Sequence, residues 1–308
     1  VSCRIRLGMI LIFVKALRIP VLVVLLFVAS CGTTASRDGL LVVTTTTILG
    51  DLASAVAGDG ADVEVLIPIG VDPHDYQPSS RQIALLADAD LIVLNGLDLE
   101  AGLDDAISGA VADGATVLEL APLLDPLPFA DGEGLDPHVW LDPVRMASAA
   151  DMVADALTEL DPDAGFSDRG AAYSADLLSA DATIRELLSP ISEDRRLLVT
   201  NHEAFGYFAS RYGFTVVGVV IPGGSTLAEP SSAELAALVA VIRDRGVPAI
   251  FAETTQPTAL ADAVAAEAGT AIAVIEVYSE SLGLPGTPAA TLPGMLVENA
   301  RRIAAALS

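Results

Sequence analysis

Three histidines, His74, His138 and His202, are the residues of this sequence whose type and position most clearly indicate chemistry. The chain of 308 residues contains no other histidine, so imidazole does not serve here as a general surface or core residue. Each of the three lies in a loop, after a predicted strand or an irregular segment. Neutral imidazole is the commonest metal ligand in proteins, because one ring nitrogen binds the ion while the other donates a hydrogen bond. We therefore predict that all three bind a metal ion.

Alternating strand-like and helix-like segments must position these histidines. Near-continuous apolar strands between amphipathic helices are typical of parallel sheets covered on both faces. The sequence therefore predicts the α/β class, with two lobes that each contain a mainly parallel sheet flanked by helices. The predicted strands are 40–47, 63–67, 91–95, 116–120, 196–200, 215–220, 249–252 and 271–277.

Two helices are predicted in the middle of the chain, over residues 143–160 and 163–188. Asp161-Pro162 separates them and Ser189-Pro190 ends the second, because the residue before a proline disfavours helical backbone. A helix of about 25 residues spans roughly 38 Å, which is the height of a small domain. We therefore expect the second helix to connect the two halves of the protein.

The positions of the histidines relative to these elements suit ligand binding. His74 and His202 follow predicted strands, and ligands of open parallel sheets bind beyond the carboxyl ends of the strands. A helix predicted over 203–212 would place His202 near a helix N-terminus, where the dipole disfavours protonation. His138 follows an irregular segment, so its placement depends on its motif.

Four carboxylates near the histidines are candidates to orient the imidazole N–H groups, with helix capping or turn formation as the alternative role. They are Asp75, Asp136, Asp142 and Glu203. Such partners would fix the tautomer of each ring and so decide which nitrogen faces the metal.

The first 30 residues have the features of a secretory signal. They contain four basic residues and no acidic one, and an apolar run over 19–28 is followed by small residues. Val28-Ala29-Ser30-Cys31 resembles the lipobox, in which the signal is cut before a cysteine that carries lipid. We therefore predict a lipoprotein signal peptide over 1–30, lipidation of Cys31 and a lipidated tether over 31–39. The alternative is an ordinary signal with a chance cysteine.

This interpretation predicts an exported protein that lipid anchors to the outer face of the bacterial cell membrane, or in the periplasm if the envelope is Gram-negative. Sixteen basic residues against 41 acidic ones argue against a nucleic-acid partner. Cys3 lies within the predicted signal, so Cys31 is left without an intramolecular disulfide partner and stability must come from a core. A hydrophobic content of 52% supports such a core, and we expect a monomer.

Several short motifs carry a family resemblance. The three histidine motifs are Pro73-His74-Asp75-Tyr76-Gln77-Pro78, Asp136-Pro137-His138-Val139-Trp140 and His202-Glu203-Ala204-Phe205-Gly206-Tyr207-Phe208. Further segments are Ala89-Asp90-Leu91-Ile92, Asn95-Gly96 and Leu99-Glu100, with weaker matches at Glu229-Pro230-Ser231 and Phe251-Ala252-Glu253. Over essentially all of the chain from Val42 onward, these segments resemble the zinc- and manganese-binding lipoproteins (cluster A-I) that serve as solute-binding components of bacterial metal ABC importers.

The resemblance implies an N-terminal metal-binding lobe over 40–160, a linker helix over 161–190 and a C-terminal metal-binding lobe over 191–308. It also implies two ligands from each lobe: His74 and His138 from the first, His202 and a carboxylate from the second. That carboxylate is usually aspartate, and this chain has Glu280 in the corresponding segment. The implied function is binding of a divalent transition metal and its delivery to an ABC importer permease, without enzymatic activity.

Three imidazoles and one carboxylate suit Zn²⁺, whereas Mn²⁺ prefers more oxygen ligands. We therefore expect zinc first, with Mn²⁺ or Fe²⁺ as alternatives. Many zinc-binding relatives have a histidine-rich loop where this chain has a short acidic segment over 125–134, which counts against zinc.

Two other functions remain open. One is a lipid-anchored zinc hydrolase, because three histidines with an open fourth position also form catalytic sites. The chain lacks a His-Glu-x-x-His motif, however, and Glu280 would close the site. The other is a surface adhesin lipoprotein, whose function would not need the histidines.

Overall fold

Two parallel sheets form the framework of the protein in a computed structural model that describes residues 39–130, 132, 134–269 and 272–308. The first sheet has the order β2-β1-β3-β4, and its strands are β1 (Leu40–Thr44), β2 (Ala61–Val65), β3 (Leu91–Leu94) and β4 (Thr116–Glu119). The second has the order β6-β5-β7-β8, and its strands are β5 (Leu197–Thr200), β6 (Thr215–Val219), β7 (Ala249–Glu253) and β8 (Ala273–Val277). All strand pairs are parallel, so the predicted fold class is confirmed.

Helices connect the strands and cover the sheets. Their bounds are α1 (Thr47–Ala57), α2 (Ser80–Ala87), α3 (Asp104–Ala112), α4 (Pro143–Leu160), α5 (Phe166–Leu188), α6 (Gly206–Tyr212), α7 (Ser232–Arg245), α8 (Ala259–Ala268) and α9 (Leu292–Leu307). Local sequence explains their ends: Asp142 caps α4 by accepting from the backbone N–H of Val144, and Pro143 occupies the first helical position. We call residues 39–160 the N-terminal half and residues 191–308 the C-terminal half.

Alternate side chains of each central strand enter different apolar clusters. In β1, Val42 packs on the face that carries α1 and α4, whereas Leu41 and Val43 pack on the opposite face. In β7, Phe251 and Ile250 divide in the same way. Burial on both faces explains why these strands are near-continuous apolar segments in the sequence.

The largest apolar cluster is continuous through both halves of the protein. It includes Val42 of the first sheet, Phe251 of the second sheet and residues of α4, α5 and α9. Helix α5 buries Phe166, Leu177 and Ile184 in this cluster, so it packs along the protein instead of standing free between two bodies. A shared core of this kind opposes wide separation of the halves, because apolar area would return to water.

Two predicted helices begin later than expected. Helix α5 begins at Phe166 and not near residue 163, since Gly165 has a left-handed backbone (φ 74°). The helix predicted over 203–212 begins at Gly206, which leaves His202 four residues before it. The prediction that a helix dipole keeps His202 neutral is therefore wrong, because that influence falls off within the first turn.

The predicted signal peptide, Cys31 and all of the predicted tether except Gly39 lie outside the described residues. Within the part of the chain that the structure describes, no helix has both the length and the apolarity needed to cross a bilayer.

Candidate metal centre

Four side chains from both halves of the protein meet at one point: His74, His138, His202 and Glu280. One possible ligand atom of each lies within 4.8 Å of the corresponding atoms of the others. The Nε2 atoms of His138 and His202 are 3.0 Å apart, and Oε1 of Glu280 lies 3.3 Å and 3.5 Å from them. Ligand atoms about 2.0–2.1 Å from a tetrahedral ion are about 3.3 Å from one another, so this spacing fits one ion in their midst.

Strand ends bring these residues together. His74 follows β2 in the N-terminal half, and His202 and Glu280 follow β5 and β8 in the C-terminal half. His138 precedes the short 3-10 turn Val139–Leu141, which leads into α4. The carboxyl ends of parallel strands from the two sheets therefore supply three of the four side chains, as expected for ligand sites in such folds.

His138 is oriented by a carboxylate of its own half. Oδ1 of Asp136 accepts from the backbone N–H of His138 at 2.9 Å and lies 2.6 Å from its Nδ1. A proton on Nδ1 leaves Nε2 facing Glu280 and His202. Tyr207 donates its hydroxyl to the backbone oxygen of Asp136 at 2.6 Å, so the backbone that carries this carboxylate is itself held in place. Asp136 thus has the orienting position that the sequence analysis considered for it.

His202 is oriented in the same manner by Glu253. Oε1 of Glu253 forms a short hydrogen bond with Nδ1 of His202 and accepts from its backbone N–H at 3.3 Å. Glu253 ends β7, which is the neighbour of β5 in the sheet, and it is fully buried. Glu253 was not among the site residues predicted from the sequence. An acidic residue at the carboxyl end of an otherwise apolar strand is the signal that could have identified it.

Two other candidate carboxylates lie elsewhere. Asp142 caps α4 and forms an ion pair with Arg211 at 3.3 Å, so helix capping, the alternative considered for it, is the observed role. Asp75 is exposed to solvent. Trp140 packs edge-on against His138, with 5.2 Å between ring centroids, and donates its indole N–H to the backbone oxygen of Ser279 at 2.6 Å.

The charged groups of the cluster shift one another's pKa values in the metal-free protein. Burial lowers the pKa of His138, but the Glu280 and Asp136 carboxylates outweigh burial and raise this pKa to about 10. Burial also lowers the pKa of His202, which Glu253 raises above its ordinary value. Burial alone would raise the pKa of Glu280, yet the surrounding histidines lower it to about 2. For His74, burial dominates and lowers the pKa.

Several buried polar atoms of the cluster have no hydrogen-bond partner among the described residues: both carboxylate oxygens of Glu280 and Nε2 of His74. Burying such atoms without a partner costs free energy, and buried charges are normally paired or bound to metals. Two carboxylate oxygens and three imidazole nitrogens facing one space form a set of electron-pair donors. This arrangement can bind a divalent transition metal without further protein groups.

Comparisons with known proteins agree with this chemistry. The family model described as zinc-uptake complex component A, periplasmic (ZnuA), matches residues 42–306. The manganese-binding lipoprotein MntA of Halalkalibacterium halodurans is 32% identical over 295 residues, which cover 94% of this chain and 97% of the relative. The zinc-binding protein TroA of Treponema pallidum is 36% identical over 283 residues, covering 89% of this chain and 91% of the relative.

The solved structure of the periplasmic zinc-binding protein TroA from Treponema pallidum has a similar fold. It matches with a TM-score of 0.80 and 34% sequence identity over 88% of this chain and 99% of that one. The likeness therefore extends over nearly the whole of both structures.

Proposed function

The chain belongs to the family of periplasmic zinc-uptake components, and we propose that it binds one divalent transition-metal ion with high affinity and delivers it to the permease of an ABC importer. The observation that carries this proposal is the convergence of Glu280 and three histidines at a buried point, where both oxygens of Glu280 have no hydrogen-bond partner among the described residues. A bound cation would satisfy these atoms together.

The proposed ligands are Nε2 of His74, Nε2 of His138, Nε2 of His202 and the carboxylate of Glu280. Each half of the protein supplies two of them. The N-terminal lobe is proposed to extend over 40–160, the linker helix over 161–190 and the C-terminal lobe over 191–308. The hydrogen bonds of Nδ1 in His138 and His202 to carboxylates support binding through Nε2, because they occupy the other ring nitrogen.

Zinc is the ion that this ligand set supports best. Three nitrogen ligands and one carboxylate are a common zinc environment, and Zn²⁺ binds such sites more tightly than Mn²⁺ or Fe²⁺ does. Mn²⁺ or Fe²⁺ is the alternative cargo, supported by the name of the manganese-binding relative and by the second oxygen of Glu280, which can supply an additional contact.

The mode of action proposed is capture without catalysis. Glu280 occupies the position where a catalytic zinc site keeps a place for water, so the arrangement suits holding an ion and not turning over a substrate. The protein is proposed to be exported and to act as a monomer, anchored at the outer face of the bacterial cell membrane by lipid on Cys31. The lipobox-like segment before Cys31 supports this anchor.

Metal content and competitive affinity test the proposal. We expect the chain purified from residue 37 onward to hold one zinc ion, and His202→Ala to lose it while still unfolding in one cooperative thermal transition in the metal-free state. Asp75→Ala is the matched control, since this carboxylate adjoins His74 but is exposed, and it should bind zinc as the wild type does. Preference for manganese or iron would overturn the choice of cargo, and absence of metal binding would overturn the function.

A further inference from the structure

Asp72 connects the loop that carries His74 to two loops of the C-terminal half. Its Oδ1 accepts from the backbone N–H of His74 at 2.9 Å. Its Oδ2 accepts from the hydroxyl of Thr226 at 2.5 Å and from the side-chain amide of Gln256 at 2.5 Å. Asp72 as a residue is only 9% exposed, so these hydrogen bonds form in a poorly hydrated environment, where bonds to charged groups are strong.

His74 differs from the other proposed ligands in burial. His138 and His202 are fully buried and Glu280 is 2% exposed, whereas His74 is only partly buried. The outer part of the His74 ring therefore faces solvent, whereas its Nε2 atom is buried in the cluster. An ion that enters or leaves the site without unfolding the protein passes this side, because the other three ligands lie beneath packed side chains.

We propose that Asp72, Thr226 and Gln256 form a clasp across the cleft that holds His74 on the metal and thereby sets the rate at which the ion is released. This inference rests on the proposed metal-binding function and adds three positioning residues to it. Thr226 and Gln256 lie in the loops after β6 and β7, so a movement of these C-terminal loops withdraws the support of a ligand in the N-terminal half.

Charge and geometry explain why one carboxylate suffices for this role. Asp72 uses one oxygen for its own loop and the other for the opposite half, so the backbone of His74 and the C-terminal loops share a single rigid group. The backbone N–H of Gly70 also donates to Oγ of Ser281 at 2.8 Å. This second tie keeps the loop near the cleft when the clasp opens, so opening moves His74 without separating the halves.

The test is the rate of zinc release from the full mature chain to an excess of chelator. Thr226→Val and Gln256→Met keep the side-chain volumes but remove the two donors to Asp72. We expect the double variant to release zinc about tenfold faster, while its rate of zinc uptake changes by less than about threefold. Each single variant should release zinc at an intermediate rate. If the double variant folds poorly, the single variants still test the proposal.

Two comparisons separate the clasp from a general loosening of the structure. Tyr173→Phe likewise removes one hydroxyl from a carboxylate, because Tyr173 donates to Asp51 at 2.6 Å, but this contact joins α5 to α1 away from the ligand loops. It should leave zinc release unchanged. In a His74→Ala background loaded at saturating zinc, the clasp substitutions should have no further effect, because they act through His74.

Each outcome decides the matter. Unchanged release in the clasp variants of a zinc-loaded protein would overturn the clasp alone. The clasp would also be overturned if the clasp substitutions accelerated zinc release equally in the His74→Ala background. The same holds if Tyr173→Phe accelerated zinc release as much, since either result would show a general loosening of the structure. A wild-type chain that holds no zinc, manganese or iron would overturn the proposed function and the clasp with it.

Discussion

The buried side of the proposed metal centre and its solvent-facing side are built differently. On the buried side, His138 and His202 are each oriented by a carboxylate of the same half, Asp136 or Glu253. On the solvent-facing side, Asp72 reaches from His74 to the opposite half. Bonds within one half persist when the halves shift, whereas bonds between halves depend on their arrangement. The proposed centre therefore combines a pre-organised pair of histidines with one histidine whose position depends on bonds between the two halves.

Removing one of the proposed ligands should produce the largest loss of zinc affinity, and it tests this contrast most clearly. Total binding free energies of about 10–16 kcal/mol, shared among four ligands, imply a loss of about 10²–10³-fold in zinc affinity for one ligand. We expect His138→Ala to reach the upper end and His74→Ala the lower end. Loss of His138 leaves the Glu280 carboxylate buried beside an empty space, whereas water can replace the partly exposed His74.

Competition titrations with a zinc chelator measure both variants against the wild type. A greater loss for His74→Ala than for His138→Ala would contradict the contrast between the two sides. Both variants must still unfold in one cooperative thermal transition in the metal-free state, so that a folding defect is not taken for a ligand effect.

Much of the fold could be predicted because each central strand is buried on both faces. Apolar runs therefore marked β1, β3 and β5 to within a few residues, and Pro143 and Leu160 bound α4 as expected. Helix boundaries that depend on the backbone conformation of a single residue were harder to predict, as Gly165 shows at the start of α5. Nothing in the local pattern says that a glycine there will adopt a left-handed conformation instead of continuing the helix.

For the candidate site, residue type was more informative than spacing. Three histidines in loops identified three of the convergent side chains, and the family resemblance supplied Glu280. Glu253 was not found, because its role depends on the adjacency of β5 and β7, which lie about 50 residues apart in the chain. The contacts of Asp72 with Thr226 and Gln256 could not be found either, since these residues lie 154 and 184 positions from Asp72 in the chain.

Removing the carboxylate partners should have the next largest effect. Asp136→Asn and Glu253→Gln keep the volume but weaken the orientation and basicity of His138 and His202, and such changes typically cost about 10–100-fold in metal affinity. Asp142→Asn is the control, because this residue caps α4 and contacts Arg211 instead of a ligand. Isothermal titration with zinc and a competing chelator measures all three. Equal losses for Asp142→Asn and Asp136→Asn would contradict a specific role of the imidazole partners.

The pH dependence of zinc binding distinguishes the two sides, because His138 and His74 differ in protonation at neutral pH. The metal-free His138 has a pKa of about 10 and so carries a proton at neutral pH, which the metal must displace. The lowered pKa of His74 leaves its imidazole neutral there, so it releases no proton. Affinity should therefore increase with pH up to about 10, and each proton displaced should cost about tenfold in affinity per unit of pH decrease.

Titration calorimetry in buffers of different ionisation enthalpy counts the protons released when zinc binds at pH 7. We expect at least one in the wild type. We expect the same number in His74→Ala and fewer in Asp136→Asn, because removing a carboxylate lowers the pKa of His138. If His74→Ala released no proton, the displaced proton would come from His74 and not from His138, which would contradict this prediction.

The smallest loss of zinc affinity should come from removing a hydrogen bond to the backbone next to His138. Asn95 donates its side-chain amide to the backbone oxygen of Pro137 at 2.9 Å, next to His138. Asn95→Ala removes this bond and the bond to the backbone oxygen of Gly96 at 3.1 Å, and should lower the free energy of unfolding by about 1–3 kcal/mol, because buried acceptors lose their donor. Zinc affinity should fall by less than about threefold, because Asp136 still holds the ring of His138. Thermal unfolding and zinc competition measure the two quantities. An affinity loss as large as that of Asp136→Asn would show that the backbone, and not the carboxylate, sets the position of His138.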